Sequence, residues 1–363
     1  EGVPGVAGIF GPRAYLACAL LGRRPAGFRP RGPGVVVFLG GDQAHAVLLA
    51  RRLGYPALAY LEGAVRRRFQ EYWVPDEAGR ARAAARGVPP GAVHVVGDLM
   101  VDAVHGAGEP DDEAAPAAAG AGPGRELVLL LPGSRPYEVR HALPFFLNAA
   151  RRLAARREGV RVCVPVSPFL REEDLRAVER PPGRMDGVTA RVEPLEPVGG
   201  LRRWRLLTPD GFAAVAVQGG RYGLMRHARL ALTLPGSKTA ELAAAGTPML
   251  VVVPLQVLEE VPLPGAGQLL GHLPGVGRRL KAWAVARYAR RFPWAALPNL
   301  RAGRALVPEL RGRVSAAEVA DAAARLLDDP AALEAMRVGL RAVMGPPGAA
   351  ERVAERIRHL LAE

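Results

Sequence analysis

Lysine and asparagine are nearly absent from this 363-residue chain: only Lys238 and Lys281 are lysines, and only Asn148 and Asn299 are asparagines. Its net charge of +14 is therefore carried almost wholly by arginine. Such a preference, with abundant Ala, Gly and Pro, points to a bias of the whole composition and weakens the charge as a sign of a polyanionic partner. A basic surface still suits anionic substrates or membrane headgroups. Cysteine is as scarce. Cys18 and Cys163 lie far apart with no metal-type spacing beside them, which excludes a disulfide framework and a zinc site and makes a reducing cytoplasm the expected home. Long apolar runs are missing too. The nearest, Ala243 to Leu258, is cut by Gly246, Pro248 and Pro254, so no spanning helix is expected. Nor do a basic segment and apolar core of a signal peptide follow Glu1, so we expect the sequence to start inside a longer protein.

What is present is ordinary globular material, 49% hydrophobic and 23% charged, long enough for roughly two domains of ~150 residues. Gly34–Gly40, Ala57–Leu61, Tyr72–Pro75 and Val93–Val96 read as short buried strands alternating with a helix over Gln43–Leu53 and an Ala/Arg-rich one ending at Arg86. Gly106–Gly124 (GAGEPDDEAAPAAAGAGPG) has the composition of a linker. Beyond it, strands at Leu127–Leu131, Val160–Val166, Ala213–Gln218, Leu230–Leu234 and Pro248–Val253 alternate with helices at Glu138–Arg156, Tyr222–His227 and Thr239–Ala245. The stretch Pro181–Asp210 has no clear period, and Val253 reads as the end of the last buried strand. Three helices close the chain; the first has Ser315 and Glu318 spaced as a capping box. The fold class expected is α/β and GT-B-like, with two Rossmann-like domains facing a cleft: residues 1–107, a linker over 108–124, residues 125–345, and a C-terminal helix over 346–363.

One pattern occurs twice. LVLLLPGSRPYEV (Leu127–Val139) and LALTLPGSKTAEL (Leu230–Leu242) each run from an apolar strand through Pro-Gly-Ser to a cation and a glutamate. A strand that ends in such a turn and opens a helix presents backbone N–H groups to an anion. We expect the two copies to face one diphosphate, with glycine used because a Cβ would block close approach.

These segments also carry a resemblance. LLLPGSRPYEVRHALPFFLNAARRL, GSKTAELAAAGTPMLVVV, ALPNLRAGRALVPEL and the closing GAAERVAERI resemble, in order, motifs of the lipid-A-disaccharide synthases, and VVGDLMVDAV is similar to their VGHPLVD. That family consists of GT-B glycosyltransferases, so the resemblance implies a UDP-sugar donor, a GlcNAc-type sugar and a lipid-linked acceptor at the inner face of the membrane. It implies donor binding by Gly133, Ser134, Arg135, Gly236, Ser237, Thr239, Glu241, Asn299 and Arg304, with Arg135 also stabilising the leaving group. No Asp-x-Asp sits at a strand end, so neither a metal nor any other cofactor is called for. Some family features are missing: its first strand and Gly-rich turn are absent, which implies an incomplete N-terminal domain. Its IDxPDFN is here LGGDQAH, leaving Asp42 as the candidate catalytic acid or base, or as a helix N-cap. Asp98 stands where the family has His, and Lys238 where it has a small residue.

The sugar-nucleotide partner has two rivals in function. A UDP-GlcNAc 2-epimerase shares the architecture, and a non-catalytic nucleotide-sugar binder would need only the donor turns. Gly277–Trp294 (GRRLKAWAVARYARRFPW) is basic and aromatic, which fits either an anionic membrane surface or a packed surface helix. Its aromatics match no nucleic-acid module, so nucleic acid is not expected as a partner. A second copy of the chain remains open as one.

Overall fold

The computed structural model describes residues 6–29, 32–63, 65–106, 110–256 and 293–362. Gly277–Trp294 thus lies outside the described residues, apart from its last two positions. The chain divides into two compact units, Glu1–Asp102 with Pro346–Glu363, and Ala103–Gly345.

The first unit opens with α1 (Pro12–Leu21) and continues β1 (Val36–Phe38), α2 (Gln43–Leu53), β2 (Ala57–Tyr60), β3 (Glu71–Val74), α3 (Glu77–Ala84) and β4 (Val93–Val95), followed by α4 (Leu99–His105), within which the division falls. Its four strands form one parallel sheet in the order β1-β2-β3-β4. Short runs such as EYWV, buried throughout, are what a parallel sheet covered on both faces requires. On one face α2 and α3 close over Phe38, Phe69, Tyr72 and Val88.

The second unit contains α5 (Pro110–Ala118), β5 (Glu126–Leu131), α6 (Pro136–Ala154), β6 (Val160–Val166), α7 (Glu172–Arg176), β7 (Arg191–Val198), β8 (Leu201–Leu207), β9 (Ala213–Gln218), α8 (Arg221–His227), β10 (Leu230–Thr233), α9 (Ser237–Ala245) and β11 (Met249–Pro254), then α10 (Leu297–Ala302), β12 (Glu309–Gly312), α11 (Ala316–Leu327) and α12 (Pro330–Met344). Its sheet has the order β12-β11-β10-β5-β6-β9-β8-β7. Only β8 runs against its neighbours. Helix α6 lies at the heart of this unit, with Leu143, Phe145, Phe146 and Leu147 fully buried. Replacing either phenylalanine by alanine would cost about 3–5 kcal/mol.

The division differs from the one expected. Residues 346–363 belong with the first unit: α13 (Ala349–Ala362) sets Val353, Ile357 and Leu360 against Leu58, Tyr60 and Trp73. Its start is capped from a distance by Asp102, which accepts from the N–H groups of Gly348 and Ala350 at 2.5 Å. The supposed linker is folded as well. Its alanines Ala115, Ala118 and Ala119 are buried, and Asp112 accepts from the Gly223 N–H and pairs with Arg226. Low complexity here reflects small residues packed closely and not a free chain.

Two strands come from the stretch left without assignment. β7 and β8 form a hairpin about Gly199-Gly200, both at positive φ, and extend the sheet. β7 is the edge strand, where Pro194 and Pro197 remove no needed donor. A further strand, β12, follows β11, so Val253 does not end the last one.

Candidate donor site in the second unit

β5 and β10 are hydrogen-bonded neighbours, Leu131 opposite Thr233, so the two Pro-Gly-Ser turns leave the same sheet edge side by side. Adjacent strands are about 4.8 Å apart. The turns have nevertheless folded differently.

In the first, α6 starts at Pro136, which makes Glu138 the third helical residue. From there its carboxylate reaches back: Oε2 accepts from the Ser134 N–H at 2.8 Å and the Arg135 N–H at 3.2 Å, and Oε1 from the Tyr137 hydroxyl at 3.1 Å. Gly133, at φ 126°, leaves room for this, since a Cβ there would land on the Glu138 side chain. The first anion seat is thus filled by the protein's own carboxylate. Arg135 is exposed and its guanidinium reaches the Tyr137 oxygen at 3.4 Å.

In the second turn α9 starts at Ser237, directly after Gly236 at φ 134° and ψ −165°. That conformation belongs essentially to glycine alone. Glu241, at the same distance from its glycine as Glu138, therefore becomes the fifth helical residue and cannot cap the turn. The N–H groups of Ser237 and Lys238 find no acceptor among the described residues. None of the described residues comes within 4 Å of where a Gly236 Cβ would stand. Among the described residues, nothing fills the second seat.

Charges gather beside it. Glu241 is 8% exposed; its Oε1 lies 3.8 Å from Arg221, and its buried Oε2 has no partner among the described residues. Burial pushes the Lys238 amine below the usual lysine range; the carboxylate of Glu241 opposes that, Arg221 adds to it, and Glu138 opposes it. The lysine thus senses the glutamates of both turns. An unpaired buried carboxylate oxygen next to free N–H groups and two cations suits a ligand with phosphates and neighbouring hydroxyls.

Gly133, Ser134, Arg135, Gly236, Ser237 and Glu241 therefore come together at this edge. Thr239 does not offer itself there: it is fully buried, donating to the Gly236 carbonyl at 2.8 Å and accepting from the Leu297 N–H at 3.2 Å. Asn299 is likewise turned inward. It is completely buried, its amide donating to Val307 O and Glu309 and its oxygen accepting from the Leu306 and Val307 N–H groups, all at 2.8–2.9 Å. All its hydrogen-bonding capacity goes to fastening α10 to β12. Arg304 is exposed in the loop after α10. Asp42 lies in the first unit and caps α2 through the Ala44 N–H at 2.9 Å, beside a cavity of about 440 Å³ that Glu62 and Arg66 also line. Arg221 was not expected, although the Gly219-Gly220 turn after β9 is a strand-to-helix signal of the same kind. Among the described residues, no group of three or more His, Cys, Asp or Glu could hold a metal, and no helix is long and apolar enough to cross a membrane.

The sheets and their helices define an α/β protein of GT-B type with two Rossmann-like units. No family model matches the chain. In sequence it is similar to the lipid-A-disaccharide synthases. It is 31% identical to that of Anaeromyxobacter dehalogenans over 237 residues, 64% of this chain and 49% of that protein. It is 28% identical to that of Geobacter sulfurreducens over 279 residues, 76% and 58% respectively. The chain thus spans about half the length of the curated relatives it matches. Among solved structures, a putative UDP-N-acetylglucosamine 2-epimerase from Listeria monocytogenes matches 90% of this chain and 74% of its own, with a TM-score of 0.51 and 14% identity. An S. aureus MnaA-UDP co-structure matches 90% and 75%, also with a TM-score of 0.51 and 14% identity. At that identity the likeness is one of fold.

Proposed function

We propose that the chain is a glycosyltransferase of the lipid-A-disaccharide synthase kind, moving a GlcNAc-type sugar from a UDP donor held by the second unit to a lipid-linked acceptor. The observation that carries this is the open second turn beside the unpaired Glu241 oxygen. Ser237 and Lys238 N–H groups take the diphosphate, and the Lys238 amine with Arg135 and Arg221 balances the charge that develops on the departing UDP. Glu241 accepts from the ribose hydroxyls. Asp42, at the corresponding edge of the first unit, is the candidate base, with one carboxylate oxygen engaged by its helix cap. No ion is needed for these roles, so UDP should bind with or without magnesium.

The first unit also supports a peripheral place at an anionic membrane. α1 exposes Leu16, Leu20 and Leu21 next to Arg23 and Arg24, and no acidic residue occurs between Gly2 and Gly41. Incubation of the protein with labelled UDP-GlcNAc, with and without a glycolipid acceptor, tests the proposal. Acceptor-dependent sugar transfer supports it. Acceptor-independent inversion at the sugar C2 would favour the epimerase that the fold likeness allows, and UDP binding without turnover would leave only a nucleotide-sugar binder.

A further inference from the structure

The first unit has a groove that none of the donor chemistry uses. Parallel strands are joined by crossovers, usually helical, and the right-handed rule places successive crossovers on one face of the sheet. Helix α2 joins β1 to β2 and α3 joins β3 to β4, but none of the described residues between 61 and 70, linking β2 to β3, is helical. The face lacks its middle helix. In its place is a cavity of about 810 Å³ between the end of α2 and the loop after α3. That is within the range of about 300–1,000 Å³ that small-molecule sites occupy.

The cavity is lined by Val47, Val65, Phe69 and Val88, and around them by Arg51, Arg66, Arg67, Arg68 and Arg86, with no acidic residue in the lining. All five arginines are exposed, and none of their guanidinium groups has a partner among the described residues. Elsewhere in the chain arginines are commonly paired, as Arg156 is with Asp321 and Arg157 with Glu126. The loop bearing three of these arginines is also fixed. Buried Gln43 accepts from the Arg66 and Arg67 N–H groups at 2.8 and 3.1 Å. The buried Tyr72 hydroxyl accepts from the Phe69 N–H at 2.9 Å and donates to the Arg67 carbonyl at 3.2 Å. With its backbone tied inward, the loop holds several like charges together that in water would spread apart.

We propose that this groove binds an amphipathic anion, an acyl chain lying along the apolar floor with its phosphate headgroup clasped by the loop arginines. Guanidinium groups match phosphate in geometry, and the apolar floor selects the chain. Within the first unit, the groove and the cavity beside Asp42 have Arg66 in common but lie toward opposite ends of the sheet. β3 begins at Glu71 and β4 at Val93, so Gln70 and Ala92 put the groove at the amino ends of these strands, whereas Asp42 follows the carboxyl end of β1.

Calorimetric titration of the intact chain with monomeric decyl phosphate, inorganic phosphate and decyl maltoside tests it. Decyl phosphate should bind at least tenfold more tightly than either control, because only it has both parts. The R66Q/R67Q/R68Q variant should lose at least tenfold in that affinity, and the R325Q/R358Q variant, which removes exposed arginines elsewhere, should lose none. Equal binding of inorganic phosphate would show a bare anion site and overturn the proposal. So would equal binding of the maltoside, or an unchanged affinity in the triple variant. UDP affinity, measured on the same samples, reports the donor site separately.

Discussion

Glu138 stands in the first of the two anion seats, and its removal separates a structural carboxylate from a competitor for the donor. In Glu138→Ala the Ser134 and Arg135 N–H groups lose their acceptor. The helix loses a cap-type interaction of about 0.5–2 kcal/mol, so the melting temperature should fall by a few degrees. UDP binding should move the other way. A carboxylate about 5 Å from a phosphate repels each phosphate charge by about 1 kcal/mol in water and about 3 kcal/mol at the lower effective dielectric of a protein surface. Its loss should tighten UDP by at least about tenfold, with the gain shrinking as salt is raised. Thermal unfolding and calorimetric titration at two ionic strengths measure both effects. A variant that melts lower yet binds UDP no better, or more weakly, would refute the idea that the first turn is a phosphate seat blocked by Glu138.

Other residues yield further expectations. Asn299→Ala should destabilise the second unit by about 2–4 kcal/mol, because buried N–H groups of Leu306 and Val307 lose their acceptor, while UDP affinity of the folded fraction stays the same; a loss below about 0.5 kcal/mol in denaturant unfolding would contradict the structural role. At Glu309 burial favours the neutral acid, but the Ala296 N–H, Arg311, Asn299 and the Ala295 N–H outweigh it and hold the carboxyl below the usual glutamate range. A lowered pKa in the folded state gives stability that is present above the unfolded value and lost as pH falls through the folded one. Glu309→Gln should therefore flatten the stability profile below about pH 4.5; an acid limb as steep as the wild type's would count against it. Arg356→Ala removes the one α13 residue hydrogen-bonded to buried Glu71 on β3 among the described contacts, so hydrogen exchange in α13 should rise well before the rest of the first unit responds; unchanged protection there would show that the apolar contacts alone hold the helix.

The strands that bracket the site were readable because each is a short apolar run that ends at a glycine turn, as in LVLLLPGS and LALTLPGS. Helices with caps were equally plain: Asp42, Ser315 and Glu318 hold the positions that their spacing implied. The hairpin β7–β8 was hidden because prolines at 194 and 197 argue against a strand unless it lies at an edge, and edge position is a property of the whole sheet. The Gly199-Gly200 pair was the available signal. Helix α5 was hidden by composition, since alanines that pack against α8 look the same in sequence as alanines in a tether. Asn299 shows another limit of the sequence. A motif cannot tell a residue that touches a ligand from one that shapes the loop beside it. Only the four satisfied hydrogen bonds distinguish the two.

The doubled turn teaches the finer lesson. PGSRPYE and PGSKTAE share glycine, serine, cation and glutamate at equal spacing, yet the carboxylate is spent on the turn in one copy and left free in the other. The cause is where each helix begins. Pro136 has a fixed φ and no N–H, which suits the first helical position, and with the helix starting there Glu138 falls where a capping carboxylate reaches back over the turn. The second copy has no proline, and Gly236 can adopt a conformation that lets α9 start at once, two positions earlier relative to the glycine. That shift rotates Glu241 by about 200° around the helix relative to Glu138, at about 100° per residue. It carries the carboxylate from the helix end to its flank, beside Arg221. Among the described residues, adjacent strands then present one closed seat and one open seat at the same edge, with Lys238 under the electrostatic influence of both glutamates. A ligand with two phosphates would meet free N–H groups on one side and a displaceable carboxylate on the other, an asymmetry that the Glu138→Ala titration measures directly.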